Sequence, residues 1–250
     1  VTAETGIVVN RAVQGYKNVE LDTGTGGITV NDQATASTGD ISMTAGEGLI
    51  EIGDTVQATQ GNVTVHVDKG STSTDGEVNE VVDAIVVKGN VKAGQTVSLT
   101  AGEGSIGIGI GATATEGEVD AVGDVTIRSD KGEIDVYNTV TSTGGNISIS
   151  NGAEAIYIQG AVTASGNVDM NSETGTIDID QAVTSQTGNV KVTADKNMTI
   201  DGAVTAKNEV TLLSKNASVT VNDAITAQGG NVKVTAETGI VVNRAVQGYK

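Results

Sequence analysis

Apolar and polar residues alternate along this chain in short runs, and no stretch places apolar residues at the three-to-four spacing of a helix. The segment VDMNSETGTIDIDQAVTSQTGN, Val168 to Asn189, predicts an alternating strand, a Gly turn, a second alternating strand, a third short strand and a Gly-Asn corner. The same order returns in the segments that begin at Val19, Ile41, Val63, Val97, Val125, Ile147, Val168, Val190, Val210 and Val232. The period is about 22 residues, and ten such coils are expected.

Alternation also assigns faces, because successive side chains of a strand point to opposite sides. First strands turn inward pairs such as Val125/Ile127, Ile147/Ile149 and Val190/Val192; second strands turn inward Ile134/Val136, Ile156/Ile158 and Ile177/Ile179. The third strand, typically Ala-Val-Thr-Ala, contributes Val140, Val162, Val183, Val204, Ile225 and Val246. One coil alone cannot bury its apolar side. Coils stacked about 4.8 Å apart form three continuous parallel sheets around a dry core. The expected fold is therefore all-β, a right-handed parallel β-helix (β-solenoid) running through residues 1–250 as one continuous segment. A left-handed hexapeptide helix would need a six-residue period, which is absent, and the crossover rule for parallel strands favours the right hand.

A longer period encloses the short one. The first 17 residues, VTAETGIVVNRAVQGYK, recur unchanged from Val234 to Lys250, 233 residues later. Tandem copies in the native protein explain this; an engineered chain whose ends were made to match is the alternative. On either reading neither end is expected to be a true terminus, and export signals are expected to lie outside the segment.

Composition sharpens this picture. Phe, Trp, Pro and Cys are absent and there are four Tyr, so the core must be built from small aliphatic side chains in a regular array. Without cysteine there is neither a disulfide framework nor a thiolate metal site. The formal charge of -17, from 31 acidic and 14 basic residues, argues against nucleic acid as a partner and suits a self-repelling extracellular surface. No apolar run approaches the roughly 20 residues of a membrane span.

The corner before the first strand carries Asn18, Asp40, Asn62, Asp124, Asn146, Asn167, Asn189 and Asn231. Its explanation is structural: Gly and Asn accept positive φ, and stacked amides hydrogen-bond from coil to coil. Asn62, Asn146, Asn197 and Asn216 also fit the Asn-x-Ser/Thr glycan acceptor pattern, which at a corner follows simply from Asn preceding a Val/Ile-Thr/Ser strand. A column of outward threonines, Thr113, Thr141, Thr163, Thr184, Thr205 and Thr226, follows from β-propensity.

Two coils are long, 34 residues from Val63 and 28 from Val97. The excess is expected as surface loops at about 68–80, after a first strand, and at about 116–121, after a third strand; such loops are where a solenoid binds. Both hold an acidic-Gly-Glu-Val phrase, so Asp75, Glu77, Glu80, Glu116, Glu118 and Asp120 are candidate Ca²⁺ ligands. Neither loop has the Asp-x-Asp-x-Asp-Gly spacing, and the competing reading is a solvated acidic loop with no cofactor. Asp180 and Asp201 occupy equivalent places in consecutive coils and form a second candidate cation pair. His66 has no partner at metal-ligand or catalytic spacing and reads as a surface residue.

The phrases GNVTV, TGTIDIDQAVTSQTGNVKV and GGNVKVTAETGIVVNRAV resemble the repetitive stem of filamentous-haemagglutinin-like exoproteins and, more broadly, autotransporter-type adhesin passengers. That resemblance implies an extracellular rod on a bacterial cell surface, spacing or displaying adhesive regions for attachment or biofilm. Neighbouring tandem repeats are its expected partners, with any host-surface or glycan receptor engaged by other regions. One rival is a β-helix polysaccharide lyase or hydrolase. Such an enzyme needs paired carboxylates or a basic residue beside calcium-holding aspartates, and aromatic sugar platforms. Here Arg occurs only at Arg11, Arg128 and Arg244, and Tyr137 and Tyr157 alone could stack on a sugar, so no catalytic residue is assigned. A self-associating matrix or layer protein is the other rival.

Overall fold

The computed structural model describes residues 1–71, 83–110 and 116–249. They form three parallel sheets of eleven strands each, and every third strand in chain order joins the same sheet. The chain is thus an all-β parallel solenoid with three strands per coil, as the alternation predicts. No helix among the described residues is long and apolar enough to cross a membrane.

The register is the one the 22-residue period dictates. Val125, Ile147, Val168 and Val190 stand in line across the first sheet; Ile134, Ile156 and Ile177 do so in the second, and Val140, Val162 and Val183 in the third. These columns close on one continuous core whose members, from Ile28 to Ile225, are almost wholly shielded from water. Because each inward side chain meets an equivalent one a coil away, Val, Ile and Ala with a few Leu and Met fill the interior, and aromatic bulk is not needed.

The first turn of the coil takes two forms. In the early coils the first strand runs for seven residues, as in Val19–Thr25 and Ile41–Glu47, and ends in a glycine turn. Gly26 there holds φ at +90°, and a Cβ on it would run into the carbonyl of Thr5. From Val125–Ser129 onward the first strand is five residues long. In four of these coils a buried hydroxyl or amide then organises the turn, while Ala194 and Ala236 take that place in the coils from Val190 and Val232. Ser172 Oγ donates to the Glu154 carbonyl at 2.8 Å and accepts the Gly175 N–H at 3.0 Å; Ser129 and Ser214 repeat the arrangement, and Asn151 takes the same place. Ser142 and Ser185 do the same at the corner after the third strand, bonding the carbonyls of Gly123 and Gly166.

The two long coils differ in part from expectation. In the coil from Val63 the second strand is Asp83–Val87, so the extra length lies between first and second strands. In the coil from Val97 the third strand is Val119–Ala121, in register with Val91–Ala93 and Val140–Ser142. The extra residues there precede the third strand, and the expected loop at 116–121 is corrected accordingly. The phrase Ala112-Thr-Ala-Thr115 imitates the third-strand motif, but Val119 and Ala121 are the residues that enter the core. Asp120 therefore stands in the outward column where Thr113 was expected, and Thr113 lies outside the described residues.

Candidate functional site

Of the acidic loop candidates, Asp75, Glu77 and Glu80 lie outside the described residues. Glu116 is exposed, and its carbonyl accepts from the Asn138 side-chain amide. Glu118 is tied by its backbone into the coil stack: its N–H donates to Asn90 Oδ1 at 3.1 Å and its carbonyl accepts the Val91 N–H at 2.8 Å. Asp120 projects outward from the third sheet between Lys92 and Thr141. Partial burial, then Glu118, hold its carboxyl above the usual range, opposed by Lys92 and a hydrogen bond from Thr141. These three residues thus belong to the ordered coil edge, not to the tip of a loop.

Asp180 and Asp201 do sit at the same place in neighbouring coils, immediately after Ile177–Ile179 and Met198–Ile200. Their N–H groups donate back to the Ile158 and Ile179 carbonyls at 2.8 and 2.7 Å. Asn222 Nδ2 donates to Asp201 Oδ1 at 2.6 Å, and Asn243 Nδ2 to Asn222 Oδ1 at 2.6 Å. At the other end of the stack Asn31 Nδ2 donates to Asn10 Oδ1 at 2.9 Å. Asp201 is therefore a rung of a second side-chain ladder, which sequence reasoning missed although Asn10, Asn31, Asn222 and Asn243 each follow a second strand. Among the described residues, no three His, Cys, Asp or Glu come together as a metal-binding group.

The first ladder runs along the predicted corner. Asn18 Oδ1 accepts the Asp40 N–H; Asp40 Oδ1 accepts both the N–H and Nδ2 of Asn62; Asn62 Oδ1 accepts the N–H and hydroxyl of Thr96. It starts again at Asp124, which accepts from Asn146, and passes through Asn167 and Asn189 to the Glu209 N–H. The side-chain ladder ends there: at Asn231 the coils are joined by the backbone, its carbonyl accepting the Val210 N–H at 3.0 Å as the Asp40 and Asn62 carbonyls accept the Val19 and Ile41 N–H groups. At Asn62 and Asn146 the amide nitrogen of the glycan acceptor pattern is engaged with an aspartate of the coil before.

His66 faces outward on the first sheet between Thr44 and Thr100. Its ring nitrogens lie 2.8 Å from Thr100 Oγ1 and 2.9 Å from Asp68 Oδ1. Arg128 pairs at 2.7 Å with Asp130, its neighbour on the same edge of the sheet.

The most chemically distinctive surface is the outer face of the second sheet. Asp135 stands directly beside Tyr157 and Tyr157 beside Asp178, in three consecutive coils, with Glu133 and Tyr137 flanking them in sequence. Burial, reinforced by Glu133 and Asp83, pushes the Asp135 carboxyl up to about 6. Asp83 and Asp178 are raised as well, chiefly by burial, and Asp180 and Asp201 add to the effect on Asp178. Tyr137 is raised first by the charge of Asp135, Tyr157 first by burial. The stripe is legible as the middle residue of successive second strands. It brings together carboxylates and two phenols without a cationic side chain between them. Comparison with protein-family models, curated proteins and solved structures gave no match to the chain.

Proposed function

We propose that the chain is the stem of a bacterial surface adhesin fibre, an extracellular rod that spaces or displays adhesive regions for attachment or biofilm. The observation that carries this reading is the parallel stacking of successive coils in three sheets among the described residues, combined with the return of the first 17 residues after 233. A stack whose every coil leans only on its neighbours lengthens by repetition without any change of fold, which is what a spacer requires. The acidic, mutually repelling surface keeps such rods apart in solution. On this reading neighbouring tandem repeats are the partners, a host or glycan receptor is met by other regions, and neither a catalytic step nor a cofactor belongs to the segment.

The purified chain, melted and screened on a glycan array with and without Ca²⁺, tests it. A cooperative β-type transition that is indifferent to calcium, with no glycan bound, is expected. A glycan bound by the intact chain and lost on deleting residues 68–80 would replace the passive stem with a binding module.

A further inference from the structure

One 17-residue sequence occurs at two places in this fold, and each place pairs a different edge of it. At residues 1–17 the following coil covers it. Ile7, Val9 and Val13 stand against Ile28, Val30 and Ala34. The Ile7 and Val13 N–H groups donate to the Gly27 and Gln33 carbonyls at 3.0 and 2.8 Å, and the carbonyls of Glu4, Val9, Gly15 and Tyr16 accept from Thr25, Asn31, Ser37 and Thr38. At residues 234–249 the preceding coil covers it. Ile240, Val242 and Val246 stand against Val219, Val221 and Ile225, and the Asn243 and Tyr249 N–H groups donate to Val221 and Ala227. The two sets of backbone groups do not overlap.

The side chains tell the same story. Ile7 and Val9 are 8% and 6% exposed, whereas their copies Ile240 and Val242 are 47% and 46% exposed. Each pair has one neighbouring coil, so a following coil buries these side chains and a preceding one does not.

We propose that the open face of the last coil, formed by Ile240, Val242 and Val246, is a docking surface for a second copy of this chain joined in tandem. Residues Asn18–Ala36 of that copy seat on it in the register that Ile28, Val30 and Ala34 make with the first coil. This rests on the tandem-stem reading and adds to it that the junction has no seam. Ile240 and Val246 then donate to the copy's Gly27 and Gln33 carbonyls, and Val242 accepts from its Asn31, because the same groups of Ile7, Val13 and Val9 already do so. One local change is required. Gly6 holds φ at +131°, while Gly239 lies in a strand with no atom within 4 Å of where a Cβ would be. On docking, Gly239 takes up the left-handed backbone of Gly6.

The test compares the 250-residue chain with the same chain extended beyond Lys250 by residues Asn18–Lys250 of a second copy, with the junction coil segmentally isotope-labelled for NMR hydrogen exchange. In the single chain the Ile240 and Val246 amides should exchange about 100-fold faster than those of Ile7 and Val13, whose local sequence is the same. In the extended chain they should slow by about the same factor. Gly239→Ala should leave the melting temperature of the single chain unchanged and lower that of the extended chain as Gly6→Ala does. Junction amides that keep their single-chain rates in a folded extended chain would overturn the docking; the stem reading, tested by ligand binding, would survive with jointed repeats.

Discussion

At the scale of the residue, the polar groups inside this solenoid explain more than the apolar ones. An inward Ser at the end of a first strand looks like a lapse in the pattern, yet Ser172 is fully buried and makes two hydrogen bonds that fix the turn. Ser172→Ala would leave the Glu154 carbonyl and the Gly175 N–H without that partner in a dry interior, at a cost of about 1–3 kcal/mol. The expected result is a lower denaturant midpoint with an unchanged slope. A variant as stable as the parent would mean that water replaces the hydroxyl. The outward face is more tolerant. Thr184 projects between Thr163 and Thr205, and Thr184→Ser should change stability by no more than about 0.5 kcal/mol.

At the scale of the element, the strand is defined by its place in a column. Val183 is wholly buried between Val162 and Val204, so Val183→Asp places a charge where neither neighbour can pair it. A loss of more than about 3 kcal/mol is expected, with fraying of adjacent coils measured by hydrogen exchange. A well-folded variant would contradict the inward assignment of this strand. That assignment was legible in the sequence because Val-Thr-Ser alternates cleanly and recurs a coil away. The same logic located the strands around Ile134, Ile156 and Ile177 and the corner asparagines. It failed where the alternation does not discriminate. Ala84 to Val87 are all buried, so the strand Asp83–Val87 carries no period-two signal. The sequence of Ala112 to Thr115 matches the third-strand motif, whereas the strand in register with the third sheet is Val119–Ala121. The acidic stripe can be read from the same columns, as the middle residue of successive second strands, but the apolar pattern marks only inward positions and does not single it out. Asp135, Tyr157 and Asp178 are 21 or 22 residues apart, and only the stacking of coils makes them neighbours.

At the scale of the whole molecule, the stack converts such vertical neighbours into a pH response. The Asp135 carboxyl titrates at about 6 in the folded chain, above an aspartate's ordinary value of about 4. Between these two values the folded state holds more of this proton than the unfolded state does. Stability therefore falls as pH rises through that window and levels off above it. Asp83, Asp120 and Asp178 are shifted in the same direction, each chiefly by burial. Glu103 is shifted the other way by Lys131, but it is a single group opposing four. Protonation also relieves a formal charge of -17. The solenoid should thus melt a few degrees higher at pH 5 than at pH 7.5, with pH 5 still above the isoelectric point of 4.2. Asp135→Asn removes the largest of these shifts and should raise the melting temperature at pH 7.5 while flattening the slope between the two conditions. If the variant instead keeps the full slope, the response belongs to the net charge of the rod and not to the stacked carboxylates of its second sheet.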